Sequence, residues 1–140
     1  FNCTRRLSMS EILVDNLTGK TAAGSIVVYG EGGTATTNLQ QGLGKYWVDF
    51  NGTGTVAVRD SLNHSSLTDG GTGIYTISYT NAFNNANYSI VGGQTDNAGS
   101  IALPRQYTNL ATGSTVIRTT NGSSGADMLY VNVIALGDLA

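Results

Sequence analysis

Apolar and polar residues alternate along much of the chain, most clearly where Tyr75, Ile77 and Tyr79 interleave with Thr76, Ser78 and Thr80. A period of two sends successive side chains to opposite faces of an extended backbone, so these runs predict half-buried β-strands. Tyr46, Val48 and Phe50 share one face against Trp47 and Asp49. The Asn51-Gly52 pair tolerates positive φ and predicts a tight reversal into a second strand over residues 53–59, with Val56 and Val58 inward. Further strands are predicted at 74–80, 88–92, 99–103, 114–120 and 128–136. The one at 99–103 is ended by Pro104, which lacks the amide a central ladder needs. Residues 61–73 read as a polar loop, and Phe83 as a plug for one end of the domain. The last strand is apolar on both faces, Leu129, Val131, Val133 and Ala135 against Met128, Tyr130 and Ile134. That predicts a central position or burial by another subunit.

Ahead of these strands lie two short apolar bursts, 12–14 and 25–29, each long enough for one strand and too short for a helix. Residues 30–44 carry Gly30, Gly32, Gly33, Gly42 and Gly44 around a Thr-rich middle, which is linker composition. The expected organisation is an N-terminal arm and linker over 1–42, followed by one all-β domain, an antiparallel β-sandwich, over 43–140. Met9, Ser10 and Glu11 read as a natural start and set residues 1–8 apart from the fold.

Composition narrows the chemistry. Only 11% of the 140 residues are charged, and 19 glycines with many Thr, Asn and Ser supply uncharged polarity. With a net charge of −2 and scattered Lys and Arg, the chain has no basic stripe to neutralise phosphates, so no nucleic-acid partner is expected. No apolar stretch approaches the roughly 20 residues of a bilayer-spanning helix, so no membrane insertion is expected. Cys3 is the single cysteine and has no internal disulfide partner. His64 is the single histidine and reads as a loop residue with no orienting group. No serine sits in a Gly-x-Ser-x-Gly elbow, and no His or Cys pair has metal-ligand spacing. No cofactor or metal is expected. Asp49, Asp60, Asp69, Asp96 and Asp127 would make a glycan-hydrolysing pair if two converged in a cleft, yet most stand at turns, where Asp bonds its own backbone. Of the aromatics, those alternating with Val and Ile read as core. Tyr107, beside Arg105, Gln106 and Asn109, reads as a solvent-facing residue, either a recognition residue or an ordinary loop tyrosine.

The run from Tyr46 through Asn51-Gly52-Thr53-Gly54-Thr55 to Ser61, with Thr72-Gly73-Ile74-Tyr75-Thr76-Ile77 and Ala86-Asn87-Tyr88, resembles a bacteriophage module. It looks like the C-terminal domain of tail-fibre and related virion proteins, especially of phages infecting marine bacteria and cyanobacteria, and the similarity spans residues 43–137. Residues 11–21 resemble the opening of such proteins. The resemblance implies a jelly-roll-like or H-type-lectin-like sandwich, a homotrimer located in the virion, and an arm that docks to other virion proteins. It carries no catalytic residue across, and no enzyme is expected. With only 30–44 as a shaft, it implies a short fibre or spike rather than a long fibre. A capsid decoration, cement or head-fibre protein is the alternative, and a polysaccharide-degrading enzyme the remote one. The docking residues expected are Ile12, Leu13, Val14, Ile26, Val27 and Val28. The expected receptor-facing loops, which would touch host-surface glycan, carry Asn63, His64, Asp96, Asn97, Arg105 and Tyr107.

Overall fold

The computed structural model describes residues 12–20, 26–30, 32–96, 101–102 and 106–140. Within them the chain forms β1 (Val27–Tyr29), β2 (Thr36–Asn38), α1 (Leu39–Gly42), β3 (Tyr46–Asn51), β4 (Ala57–Leu62), β5 (His64–Asp69), β6 (Ile74–Tyr79) and β7 (Ser89–Thr95). It continues with β8 (Ile101–Ala102), β9 (Gln106–Thr108), β10 (Ser114–Arg118), β11 (Thr120–Asn121), β12 (Ser124–Gly125) and β13 (Tyr130–Leu136). A five-stranded sheet ordered β4-β3-β13-β7-β8 and a four-stranded sheet ordered β5-β6-β10-β9 are antiparallel throughout and pack into the expected sandwich. β1 with β2, and β11 with β12, form two small hairpins outside these layers.

Alternation in the sequence becomes the core. Tyr46, Val48 and Phe50 of β3 and Val131, Val133 and Ala135 of β13 face inward from one sheet; Tyr75, Ile77 and Tyr79 of β6 and Ile117 of β10 meet them from the other. These side chains are almost wholly removed from water, and at about 25 cal/mol per Å² of apolar area such burial is the main force closing the two layers. β13 lies between β3 and β7, yet only its inner face is covered: Tyr130 and Ile134 on its second face are 44 and 39% exposed. Phe83 plugs one end, stacked on Tyr88 with ring centroids 4.2 Å apart. There the Tyr79 hydroxyl lies 2.7 Å from Thr115 Oγ1 and donates to the Tyr88 hydroxyl at 3.1 Å, so these buried polar atoms are paired. At the other end the Tyr75 hydroxyl lies 2.9 Å from both the Gly52 carbonyl and Asp127 Oδ1.

Four expectations need correction. Residues 61–73 are not a loop: β4 runs to Leu62 and β5 starts at His64. The chain changes sheets at Asn63, whose φ of 59° lies in the left-handed region that Asn tolerates better than most residues. β5 escaped the alternation test because it is an edge strand with hydroxyl residues outside and few apolar residues to mark its inner face. Residues 30–44 are not all linker. They hold β2, paired with β1, and the single turn α1, whose first amides are capped by Asn38: its Oδ1 accepts from the Gln40 and Gln41 amides at 2.8 and 3.2 Å. Ile12, Leu13 and Val14 lie in no strand. Residues 106–108, read as loop, form β9 on the edge of the four-stranded sheet.

Candidate interaction surfaces

The two outer faces of the sandwich differ in chemistry. On the five-stranded sheet, register places Leu62, Trp47, Ile134 and Val91 side by side on β4, β3, β13 and β7. Opposed residues of antiparallel strands share a face, so these four form one apolar row across four strands, roughly 14 Å long at ordinary strand spacing. Leu62 is 47% exposed, Val91 50% and Ile134 39%. Below the row lie Asp49, Asn132 and Gly93, and the absent side chain of Gly93 leaves a groove of about 330 Å³ bordered by Trp47, Asp49, Val91, Asn132 and Ile134. Arg59, at the irregularity in the β3–β4 ladder, donates to Asp49 Oδ1 at 3.2 Å and stacks its guanidinium 4.3 Å from the Tyr130 ring centroid. Asp60 stands directly opposite Asp49, and its Oδ1 accepts from the Ser61 amide. With Arg59 against one carboxylate and the backbone on the other, this pair is an ion-pair cluster on a sheet surface.

The four-stranded sheet shows hydroxyls instead. Ser66, Ser78 and Ser114 form one cross-strand row, and Thr68, Thr76 and Thr108 surround Val116 in the next. Toward the Tyr75 end this face deepens into a cavity of about 570 Å³ lined by Thr72, Ile74, Thr108, Asn109, Arg118 and Thr120 among others.

The expected site residues do not gather on one surface. His64 pairs with Tyr79 at one end of the sandwich, while Asp96 follows Thr95, which pairs with Tyr130 at the other. Asn63 is a structural corner: its Oδ1 accepts from the Asn81 amide at 2.7 Å and its Nδ2 donates to the Asn81 carbonyl at 3.0 Å. His64 shares a 2.9 Å hydrogen bond between Nδ1 and the Tyr46 hydroxyl, so it is tied to the core and not free in a loop. Tyr107 is the clearest departure. It packs against the core from β9, and its hydroxyl is buried beside the Gly92 backbone with no hydrogen-bond partner among the described residues, burial pushing its pKa up to about 12. Asn97 and Arg105 lie outside the described residues. In the arm, Ile12, Leu13 and Val14 are exposed at 83, 82 and 58%. Val27 and Val28 are exposed but already paired with β2, and the Ile26 carbonyl accepts from the Leu39 amide.

Among the described residues no group of three His, Cys, Asp or Glu side chains is placed to hold a metal, and no helix is long and apolar enough to cross a membrane. Burial lowers the His64 pKa from its ordinary value near 6.5. The folded protein therefore resists protonation more than the unfolded chain does, and stability should be full above about pH 6.5 and fall as pH drops through that value. Urea midpoints measured between about pH 7.5 and pH 5, above most carboxylate titration, should decline in the wild type and flatten in His64→Gln. An equal slope in both would show that His64 is not the group responsible.

The apolar row and the polar cavity share one reason for being missed in the sequence: each draws its residues from segments far apart in the chain. Tyr130 and Ile134, on the second face of the last strand, were the one local signal of the row. Comparison with known proteins finds no matching family model, no similar curated protein and no similar solved structure.

Proposed function

We propose that this chain is a bacteriophage virion structural protein, a short fibre or spike. Its sandwich assembles with sister copies as a homotrimer and displays its polar face to the host. The observation that carries the reading is the contrast between outer faces: an apolar row, Leu62-Trp47-Ile134-Val91, on one sheet and serine and threonine rows on the other. A module working alone in water has no use for the first. In a closed ring, copies cover it and leave the hydroxyl face outward. The resemblance of residues 46–61, 72–77 and 86–88 to the phage module supports the virion setting, and the exposed Ile12, Leu13 and Val14 support an anchoring arm. Adhesion then comes from weak contacts multiplied by copy number.

Deleting residues 9–29 should abolish incorporation of the protein into particles while leaving the sandwich folded by circular dichroism. Particles that incorporate the truncated chain at wild-type copy number would refute the anchoring role. The same count separates a tail position, a handful of copies, from a shell position with many.

A further inference from the structure

We infer that the cavity on the four-stranded sheet is a binding site for a saccharide bearing an acid group, a carboxylate or a sulfate, with Arg118 as the residue that takes the charge. The inference rests on the outward-display reading for its biological setting and on the cavity alone for its chemistry.

Arg118 ends β10 between Ile74 of β6 and Gln106 of β9, and its alternation with the buried Ile117 sends it to the outer face. It is exposed, and among the described residues it makes no ion pair; the single salt bridge found joins Arg59 to Asp49 on the opposite sheet. Asp127, at the same end of the sandwich, commits Oδ1 elsewhere, accepting from the Gly73 amide at 2.7 Å and lying 2.9 Å from the Tyr75 hydroxyl. An unpaired guanidinium offers a planar fork that matches carboxylate or sulfate oxygens.

Around it the lining suits a sugar. Thr72, Thr108 and Asn109 bring hydroxyl and amide groups, and Ile74 adds an apolar patch for a ring C–H face. The volume, about 570 Å³, falls within the usual range for small-ligand sites. The walls are also held in place. The Thr119 amide donates to the Gly73 carbonyl at 2.9 Å, and the Ala126 amide to the Thr119 carbonyl at 3.1 Å. Gln94, itself buried, donates from Nε2 to the Thr120 carbonyl and accepts at Oε1 from the Thr120 amide. These bonds tie the β11–β12 hairpin to the Gly73 turn and to β7, so the cavity exists before any ligand arrives and little ordering cost falls on binding.

Titration of the full chain followed by amide NMR tests the site with four probes: a galacturonate trisaccharide, glucose 6-sulfate, a neutral glucose trisaccharide and inorganic sulfate. The expected result is saturable shifts at Thr108, Asn109 and Arg118 with one or both acidic sugars, weakening as salt is raised, and much weaker binding of the neutral sugar. Which acidic sugar binds identifies the acid group. Arg118→Ala should cost about ten-fold or more in affinity and Arg118→Lys less, with the remaining spectrum unchanged. Equal binding of neutral and acidic sugars, binding of sulfate without either acidic sugar, wild-type affinity in Arg118→Ala, or no shift at tens of millimolar would each overturn the proposal. Oligomeric mass, measured on the same sample, reports separately on the assembly reading.

Discussion

Gly92→Ala should be among the most damaging single substitutions in this protein, costing about 3 kcal/mol or more and lowering both the urea midpoint and the melting temperature. Gly92 sits in the middle of β7 opposite Val133 on the core side of the sheet. A methyl group there would stand 2.1 Å from the Asn132 carbonyl oxygen and 2.8 Å from the Tyr107 hydroxyl. The first contact is with backbone of the central strand and cannot be relieved by a rotamer change. The β7–β13 ladder must therefore separate locally, and that ladder joins the central strand to one whole side of the sheet. A loss of this size is a large share of the roughly 5–15 kcal/mol that keeps a domain folded.

The neighbouring glycine supplies the control. Gly93 faces the outer groove, where an added methyl would meet Asn132 Oδ1 at 3.0 Å, the end of an exposed side chain that can turn away. Gly93→Ala should cost well under half as much as Gly92→Ala. Equal losses would show that the two faces of β7 are not packed as described. Tyr107→Phe belongs in the same series: it removes a buried hydroxyl that has no partner among the described residues, and should be neutral or stabilising by about 1 kcal/mol.

Gly92 also shows what the sequence made legible. β3, β6 and β13 were readable because each sits inside a sheet with one face on the core, so their apolar residues fall at every second position. β5 and β9 were not, because each is an edge strand with one neighbour and is made mostly of polar residues. Tyr107 was placed outside because Arg105, Gln106 and Asn109 surround it in sequence, whereas its surroundings in space are set by register with Ile117 and by the missing side chain of Gly92. Local polarity cannot reveal a gap left by a glycine on another strand. The same holds for the interaction surfaces. Asn63 and His64 looked like neighbours of a receptor loop and are instead the corner and first residue of a strand. Leu62 fell in the stretch read as a polar loop, and Trp47, Val91 and Ile134 on three strands far apart in sequence; only the pairing of β4, β3, β13 and β7 makes a row of them.

That row carries the second large expected effect. If sister copies cover it, wild-type protein should elute with a mass near three times the 14.5 kDa chain, and Val91→Lys should reduce it to a single chain at the same concentration. Val91 is half exposed in the lone subunit, so a lysine there leaves the fold intact: its stem lies along the row and its ammonium reaches water. In the assembly the same ammonium would be shut away without a partner, at several kcal/mol per contact, enough to shift association by two or more orders of magnitude. Leu62→Lys, at the opposite end of the row and 47% exposed, should act in the same way. Ser78→Lys, on the outer face of the other sheet, should leave the mass unchanged. Light scattering coupled to size exclusion reads all four proteins. A wild type that stays monomeric at high concentration, or a Val91→Lys variant with wild-type mass, would remove the apolar face from any role in assembly. Loss of mass in Ser78→Lys alone would move the contact to the hydroxyl face, and with it reverse which side of the sandwich meets the host.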